Sequence, residues 1–189
     1  MESVPVWPAG LFSVGFLRVV GVRWHASLVG GIAYLLSGAV ASSPSPGRDG
    51  KRFVSALLPA ALWAIVRGVR DGRARAWGIL ALINGLAVLS PHPPLLQYLL
   101  LTGGAFALWL LSRPSSVVAH GGPVPAVSAR WIRLVPAFIA VCLGTGICAI
   151  QYLPALENVA WSPRGGGRGN EYATSFSLPP EELLNLYLP

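Results

Sequence analysis

The sequence predicts an all-α fold, a polytopic transmembrane helical bundle with about five spans. Its 189 residues are 53% hydrophobic and only 11% charged, whereas a soluble domain carries about 25% charged residues. The mean hydropathy is +0.59, and a chain of this size cannot hide so much apolar surface from water. The apolar residues also fall into runs separated by short polar segments, which is typical of a chain that crosses a bilayer several times.

Five apolar runs are predicted to span the membrane. All are expected to be helices, because an open strand would leave backbone groups unpaired in lipid. An additional apolar segment, Ala9 to Val20, is interrupted by Arg18 and predicts an interfacial helix or the tail of a span. The five spans lie near residues 26–41, 53–69, 76–89, 95–112 and 134–153.

Several residues inside these spans have predicted packing roles. Pro59 is expected to kink the second span. Asn84, in the third span, and Gln97, in the fourth, are expected to bond to neighbouring helices rather than to a ligand. In the fifth span the spacing of Ala140, Gly144 and Cys148 places small residues on one face, which favours close helix packing.

The distribution of basic residues predicts an orientation. If the hairpin at residues 67–75 faces the cytoplasm, nine of the 14 Lys and Arg residues lie on that side, as the positive-inside rule requires. The domain prediction is then a transmembrane region at residues 1–153 and an extracytoplasmic polar loop at 154–189. The predicted location is a cytoplasmic membrane, with the lipid bilayer as the first partner.

The net charge of +7 does not indicate a nucleic-acid partner. The basic residues are scattered between apolar runs, which is the ordinary pattern of loops that flank spans. The two cysteines, Cys142 and Cys148, lie in one apolar run and are too sparse for a disulfide framework. No His or Cys residues occur at ligand spacing, so the residues themselves predict no metal site.

Two candidate catalytic residues lie in predicted outer loops. Asp49 follows Arg48 and precedes Lys51, so its carboxylate stays ionised and could orient a substrate hydroxyl or a metal. The alternative is a solvated Asp-Gly turn. His92 lies between two prolines, where its imidazole could bind or shuttle a proton; the alternative is an interfacial histidine without a partner.

The third candidate catalytic residue and three substrate-binding candidates follow the fifth span. Glu157 comes just after Pro154 at the predicted membrane surface, where a carboxylate is costly unless it is paired. Arg164 is an available partner. The glycine-rich segment around Arg164, Arg168 and Glu171 could hold a phosphate through guanidinium and backbone N–H groups. It lacks the GK[ST] ending of a nucleotide P-loop, so a flexible loop is the alternative.

Several segments of the chain form a distinctive series that begins with GVRWHASLVGGIAYLLSG, the DGK at residues 49–51 and PHPPLLQYLLL. The most specific part is QYLPALENVAWSPR followed by SFSLPPEELLNLYLP. Through these segments most of the chain, from about Gly15 to Pro189, resembles the YfhO-type family of bacterial membrane proteins, which implies a location in the bacterial cytoplasmic (inner) membrane. The family's His-Pro-Gln is replaced here by His92-Pro93-Pro94. The family is similar to the GT-C class of membrane glycosyltransferases, and its members are much longer, so we expect the chain to be a fragment that is inactive by itself.

The resemblance implies a function on the outer face of the membrane. The full-length protein would transfer a sugar from a polyprenyl-phosphate carrier to a cell-envelope polymer, and it could use a divalent metal ion. Asp49 or Glu157 would position the acceptor hydroxyl, Arg164 and Arg168 would hold the carrier phosphate, and the general base would lie outside this chain. The alternative is a non-catalytic membrane scaffold or a flippase-like transport component.

Overall fold

The structure is a computed structural model of the chain and describes residues 7–37, 40, 49–90, 93–112, 131–132 and 134–161. This described part is all-α and contains no strand, which confirms the predicted class. Its helices are α1 Trp7–Val20, α2 Trp24–Leu35, α3 Asp49–Asp71, α4 Ala74–Val88, α5 Pro93–Ser112 and α6 Leu134–Trp161.

Two helical segments, Gly50–Asp71 of α3 and Pro94–Ser112 of α5, are long and apolar enough to cross a membrane. The remaining apolar segments are shorter, and they lie in α1, α4 and α6. α3 begins four residues before its predicted span and contains Pro59. α6 continues through Pro154 to Trp161, although the sequence predicted that the fifth span ends near residue 153. The segment after Pro154, ALENVAW, consists mostly of residues that favour helix.

The chain divides into two compact units, residues 1–150 and residues 151–189. In the first unit α3 is the central helix, with α1, α4 and α5 packed around it. The amphipathic pattern of α3 places alanine and branched apolar residues toward the core that it shares with these neighbours. The buried core includes Val54, Leu57, Ala61, Ala64, Ile65, Trp77, Leu80, Ile83, Leu99 and Leu110.

Glycine allows two of the helix contacts to be close. A Cβ on Gly31 of α2 would meet the carbonyl oxygen of Gly10 in α1 at 2.9 Å, and a Cβ on Gly144 of α6 would overlap the carbonyl oxygen of Ala81 in α4. Contacts of this kind are typical of helices that pack through small residues in membranes. The small-residue face predicted for the fifth span is confirmed, because Gly144 and Cys148 are buried.

The interface between α4 and α6 also contains hydrogen bonds. Asn84 is buried and its Nδ2 donates to the carbonyl oxygen of Val141 at 3.0 Å and to Oγ1 of Thr145 at 2.9 Å. The thiol of Cys148 donates to the carbonyl oxygen of Gly85 at 3.2 Å. These contacts confirm the prediction that Asn84 bonds to a neighbouring helix. Gln97, by contrast, is exposed on α5.

Candidate functional site

The first turn of α3 and the C-terminal end of α4 meet at one end of the first unit, which we call the Asp49 end (residues 49–52 and 89–90). Ser90 follows the C-cap of α4, and its hydroxyl donates to the carbonyl oxygen of Gly50 at 3.1 Å. This contact joins the backbone next to Asp49 to the chain two residues before His92. The first turn of α3 and the residue after the C-cap of α4 are therefore in contact.

A side chain from α2 also reaches this part of α3. The hydroxyl of Tyr34 donates to the carbonyl oxygen of Ser55 at 2.7 Å. Ser55 lies less than two turns into α3. Its carbonyl group therefore accepts a side-chain bond from α2, and the second half of α2 is held against the first half of α3.

Arg52 is a candidate residue at the Asp49 end that sequence reasoning passed over. Its side chain is half-buried, and its Nε is buried without a hydrogen-bond partner among the described residues. The first turn of a helix also has unpaired backbone N–H groups, which favour an anion. Arg52 and Lys51 add positive charge to this turn, so it can hold a phosphate group. The signal in the sequence was the position of an arginine three residues after Asp49, at the start of an apolar helix.

The predicted site residues are described to different extents. α3 begins at Asp49, so the Asp-Gly pair lies in the first turn of a helix and not in the solvated turn given as the alternative. The side chain of Asp49 lies outside the described residues. The second catalytic candidate, His92, lies outside them as well, and so do the substrate-binding candidates, Arg164, Arg168 and Glu171.

Glu157 is the predicted site residue whose side chain is described. It lies in α6 three residues after Pro154, and it is exposed. Its carboxylate makes no ion pair with any described residue, and its predicted partner, Arg164, lies outside them. Within the described ranges no group of three His, Cys, Asp or Glu residues could hold a metal ion.

Two short turns bring six arginines to a second end of the first unit, which we call the arginine end (residues 18–24 and 67–75). Arg18 lies in the last turn of α1, and Arg23 lies in the turn before α2. The other four lie in α3, the following turn and the start of α4: Arg67, Arg70, Arg73 and Arg75. Nη1 of Arg70 donates to the carbonyl oxygen of Val19 at 2.9 Å and ties the two turns together. The sequence prediction placed all six arginines on one side of the membrane, and the structure brings the two turns together.

One carboxylate lies among these arginines. Oδ2 of Asp71 is 2.8 Å from Nη1 of Arg67 and 3.6 Å from Nε of Arg73. Exposed ion pairs of this kind contribute little to stability, and the arginine end keeps a large excess of positive charge. Because the two ends lie at opposite termini of α3 and α4, the helices separate the cationic turns from the Asp49 end.

Comparison with known proteins gives no match: no family model, no curated protein and no solved structure is similar to the chain.

Proposed function

We propose that the chain is part of a multi-pass protein of the bacterial cytoplasmic membrane that resembles the YfhO type. It would take part in transferring a sugar from a polyprenyl-phosphate carrier to a cell-envelope polymer on the outer face. The contact between Ser90 and Gly50 is the observation that supports this proposal, because it joins the first turn of α3, which contains Asp49, to the chain two residues before His92. The resemblance of QYLPALENVAWSPR and SFSLPPEELLNLYLP to that family supplies the reaction class.

The surface of the first unit supports a multi-pass arrangement. Large apolar side chains on α2, α5 and α6 point outward, and Phe138, Ile147 and Ile150 are 71%, 72% and 83% exposed. A water-soluble monomer rarely exposes such a contiguous apolar surface, whereas lipid is a suitable solvent for it. We therefore propose that α4 and α6 also cross the bilayer, although their apolar segments are shorter than those of α3 and α5.

The arginine end gives the proposed orientation. Cytoplasmic loops carry an excess of Lys and Arg, so the arginine end would face the cytoplasm. The Asp49 end lies at the other termini of α3 and α4 and would face outward, where the sugar carrier presents its phosphate. This arrangement agrees with the orientation that the basic residues alone predict.

In the proposed reaction the anomeric carbon of the sugar loses its bond to an oxygen of the carrier phosphate and forms a bond to a hydroxyl oxygen of the acceptor polymer. The acceptor hydroxyl loses its proton to a base, its oxygen bonds to the sugar, and the bond to the carrier phosphate breaks. Asp49 would orient the acceptor hydroxyl, and Arg52 would stabilise the negative charge on the departing phosphate. Glu157 and His92 are further candidates for the acceptor side, and Arg164, Arg168 and Glu171 for the carrier side.

The proposal is tested with a photoreactive polyprenyl phosphate added to the outside of right-side-out vesicles that contain the chain. We expect labelling of the chain, and we expect Arg52→Gln to reduce it about tenfold, because a charged hydrogen bond is worth about 1.5–3 kcal/mol. Arg75→Gln removes the same charge from the arginine end and is the matched control, which should keep full labelling. Equal labelling of wild type and Arg52→Gln would remove Arg52 from the site.

Transfer itself is measured with a radiolabelled polyprenyl-phosphate hexose in a complete homologue. There, Asp49→Asn and Glu157→Gln are expected to reduce sugar transfer while carrier labelling persists. Carrier labelling without any transfer would favour the non-catalytic scaffold. Absence of both labelling and transfer would contradict the proposal.

A further inference from the structure

We propose that the arginine end is a binding surface for anionic phospholipids of the leaflet that it faces. The guanidinium groups of the two turns would hold lipid phosphates, while the apolar helix faces beside them would contact the acyl chains. This surface is distinct from the Asp49 end, and the inference does not depend on sugar transfer.

The first argument is the unbalanced charge. Asp71 is the one acidic residue among the six arginines of this end, and it already contacts Arg67 and Arg73. Arg23 and Arg75 are exposed and contact no carboxylate in the described part of the chain. Each cationic side chain near an anionic leaflet contributes about 1 kcal/mol of binding free energy.

The second argument is that the backbone of the two turns and two of their arginines, Arg70 and Arg18, are held in place by the fold. Arg70 bonds to the carbonyl oxygen of Val19 at 2.9 Å, and Arg18 bonds to the carbonyl oxygen of Val22 at 3.1 Å. The two turns contain Gly21 and Gly72 at φ values of 103° and 64°, which glycine adopts without strain. A cationic surface held in this way loses less conformational entropy when a ligand binds.

The third argument distinguishes a lipid from a soluble polyanion. Trp24 opens α2 and is 51% exposed, and the guanidinium carbon of Arg18 lies 6.0 Å from the centre of its ring. Val29, further along the same helix, is 68% exposed. Tryptophan is enriched where a membrane protein meets the lipid headgroups. The guanidinium groups, the Trp24 ring and the apolar residues of α2 therefore follow one another in the order of lipid phosphate, glycerol and acyl chain. A nucleic acid would leave the apolar residues without a partner.

The fourth argument is the choice of residue. All six basic residues of this end are arginine. The planar guanidinium group donates two parallel hydrogen bonds to a phosphate, whereas the ammonium group of lysine acts as a point charge. The composition therefore favours phosphate contacts over general attraction to a charged surface.

The experiment compares lipid retention by the purified chain in an equal mixture of phosphatidylglycerol and phosphatidylcholine, measured by native mass spectrometry. The wild type should retain phosphatidylglycerol preferentially, and added salt should weaken the preference by screening. The double variant Arg23→Gln/Arg75→Gln should reduce the preference for phosphatidylglycerol by about ten- to thirty-fold, as expected from the loss of two cations that contribute about 1 kcal/mol each. The side chains of these two arginines make no hydrogen bond or ion pair with a described residue, so folding should be unaffected. Circular dichroism checks this.

The matched control is Arg113→Gln/Arg133→Gln, which removes the same charge outside the arginine end and should leave the preference unchanged. Arg23→Lys/Arg75→Lys keeps the charge and should give an intermediate preference. Equal retention of both lipids by the wild type would overturn the proposal, and so would an equal loss in the two Gln double variants. Displacement of the lipid by inorganic phosphate would also overturn it, because the site would then be one for free phosphate.

Discussion

Arg70 and Val19 are 51 residues apart in the chain and are joined by a 2.9 Å hydrogen bond from a guanidinium nitrogen to a backbone carbonyl oxygen. The carbonyl belongs to the last turn of α1, where no intrahelical N–H is available to it. The arginine therefore satisfies an acceptor at a helix C-terminus and adds positive charge where the helix dipole favours it. This single contact connects the two arginine-rich turns.

Replacing this arginine is expected to destabilise the first unit. Arg70→Met keeps much of the apolar stem but removes the bond to Val19, and it should lower the free energy of unfolding by about 1.5–3 kcal/mol, the usual worth of a hydrogen bond from a charged group. The measurement is SDS titration of the purified chain followed by circular dichroism. Arg75→Met is the control, because Arg75 makes no hydrogen bond to a described residue. An equal loss in the two variants would show that charge alone is responsible.

The glycine between α3 and α4 should be intolerant of a side chain. Gly72 has a φ of 64°, and an alanine in this left-handed region costs about 1–2 kcal/mol. Gly72→Ala should lower the free energy of unfolding by that amount in the same titration. Gly78 lies in the interior of α4, and a Cβ there would meet no other atom within 4 Å, so Gly78→Ala should instead stabilise the chain by about 0.5–1 kcal/mol. Opposite signs for the two substitutions are the expected result.

The contact between α4 and α6 should depend on the size of residue 144. A Cβ on Gly144 would overlap the carbonyl oxygen of Ala81 and lie 3.0 Å from the backbone nitrogen of Gly85. Gly144→Ala should therefore separate the helices and lower the free energy of unfolding by about 1–3 kcal/mol. A Cβ on Gly146 meets nothing within 4 Å, so Gly146→Ala is the matched control. A neutral result for both substitutions would contradict the helix contact.

The hydrogen bond between Asn84 and Thr145 can be measured as a coupling energy. Asn84→Ala, Thr145→Val and the double variant form a double-mutant cycle. Hydrogen bonds between helices in a membrane protein contribute about 0.6 kcal/mol and at most about 1.7 kcal/mol, so the coupling should fall in that range. Additive single-variant effects would mean that the 2.9 Å contact contributes nothing. Thr102→Val, on exposed α5, should show no coupling with Asn84→Ala.

The helical class and the packing residues were predictable because they follow from composition and spacing. Apolar runs specify helices in a membrane, and the three-to-four-residue spacing of Gly144 and Cys148 specifies a shared face. The role of Asn84 followed from the cost of leaving an amide unpaired among apolar helices.

Contacts between distant parts of the chain were not predictable. Nothing in the sequence pairs Ser90 with Gly50 or Arg70 with Val19, because each bond depends on how helix termini meet in space. Arg52 was passed over for the same reason, since the burial of its Nε depends on neighbouring helices. The roles of the catalytic candidates in sugar transfer rest on a resemblance, and the structure describes the side chain of Glu157 alone among them.

The most direct test of the account is the side of the membrane on which each end lies. In a Cys142→Ser/Cys148→Ala background, Ala74→Cys at the arginine end and Ser45→Cys, four residues before α3 in the sequence, are treated with a membrane-impermeant maleimide. In intact bacterial cells that express the chain, the account predicts labelling of Ser45→Cys alone, with labelling of Ala74→Cys only after permeabilisation. Labelling of Ala74→Cys in intact cells, or recovery of the chain in the soluble fraction, would contradict it.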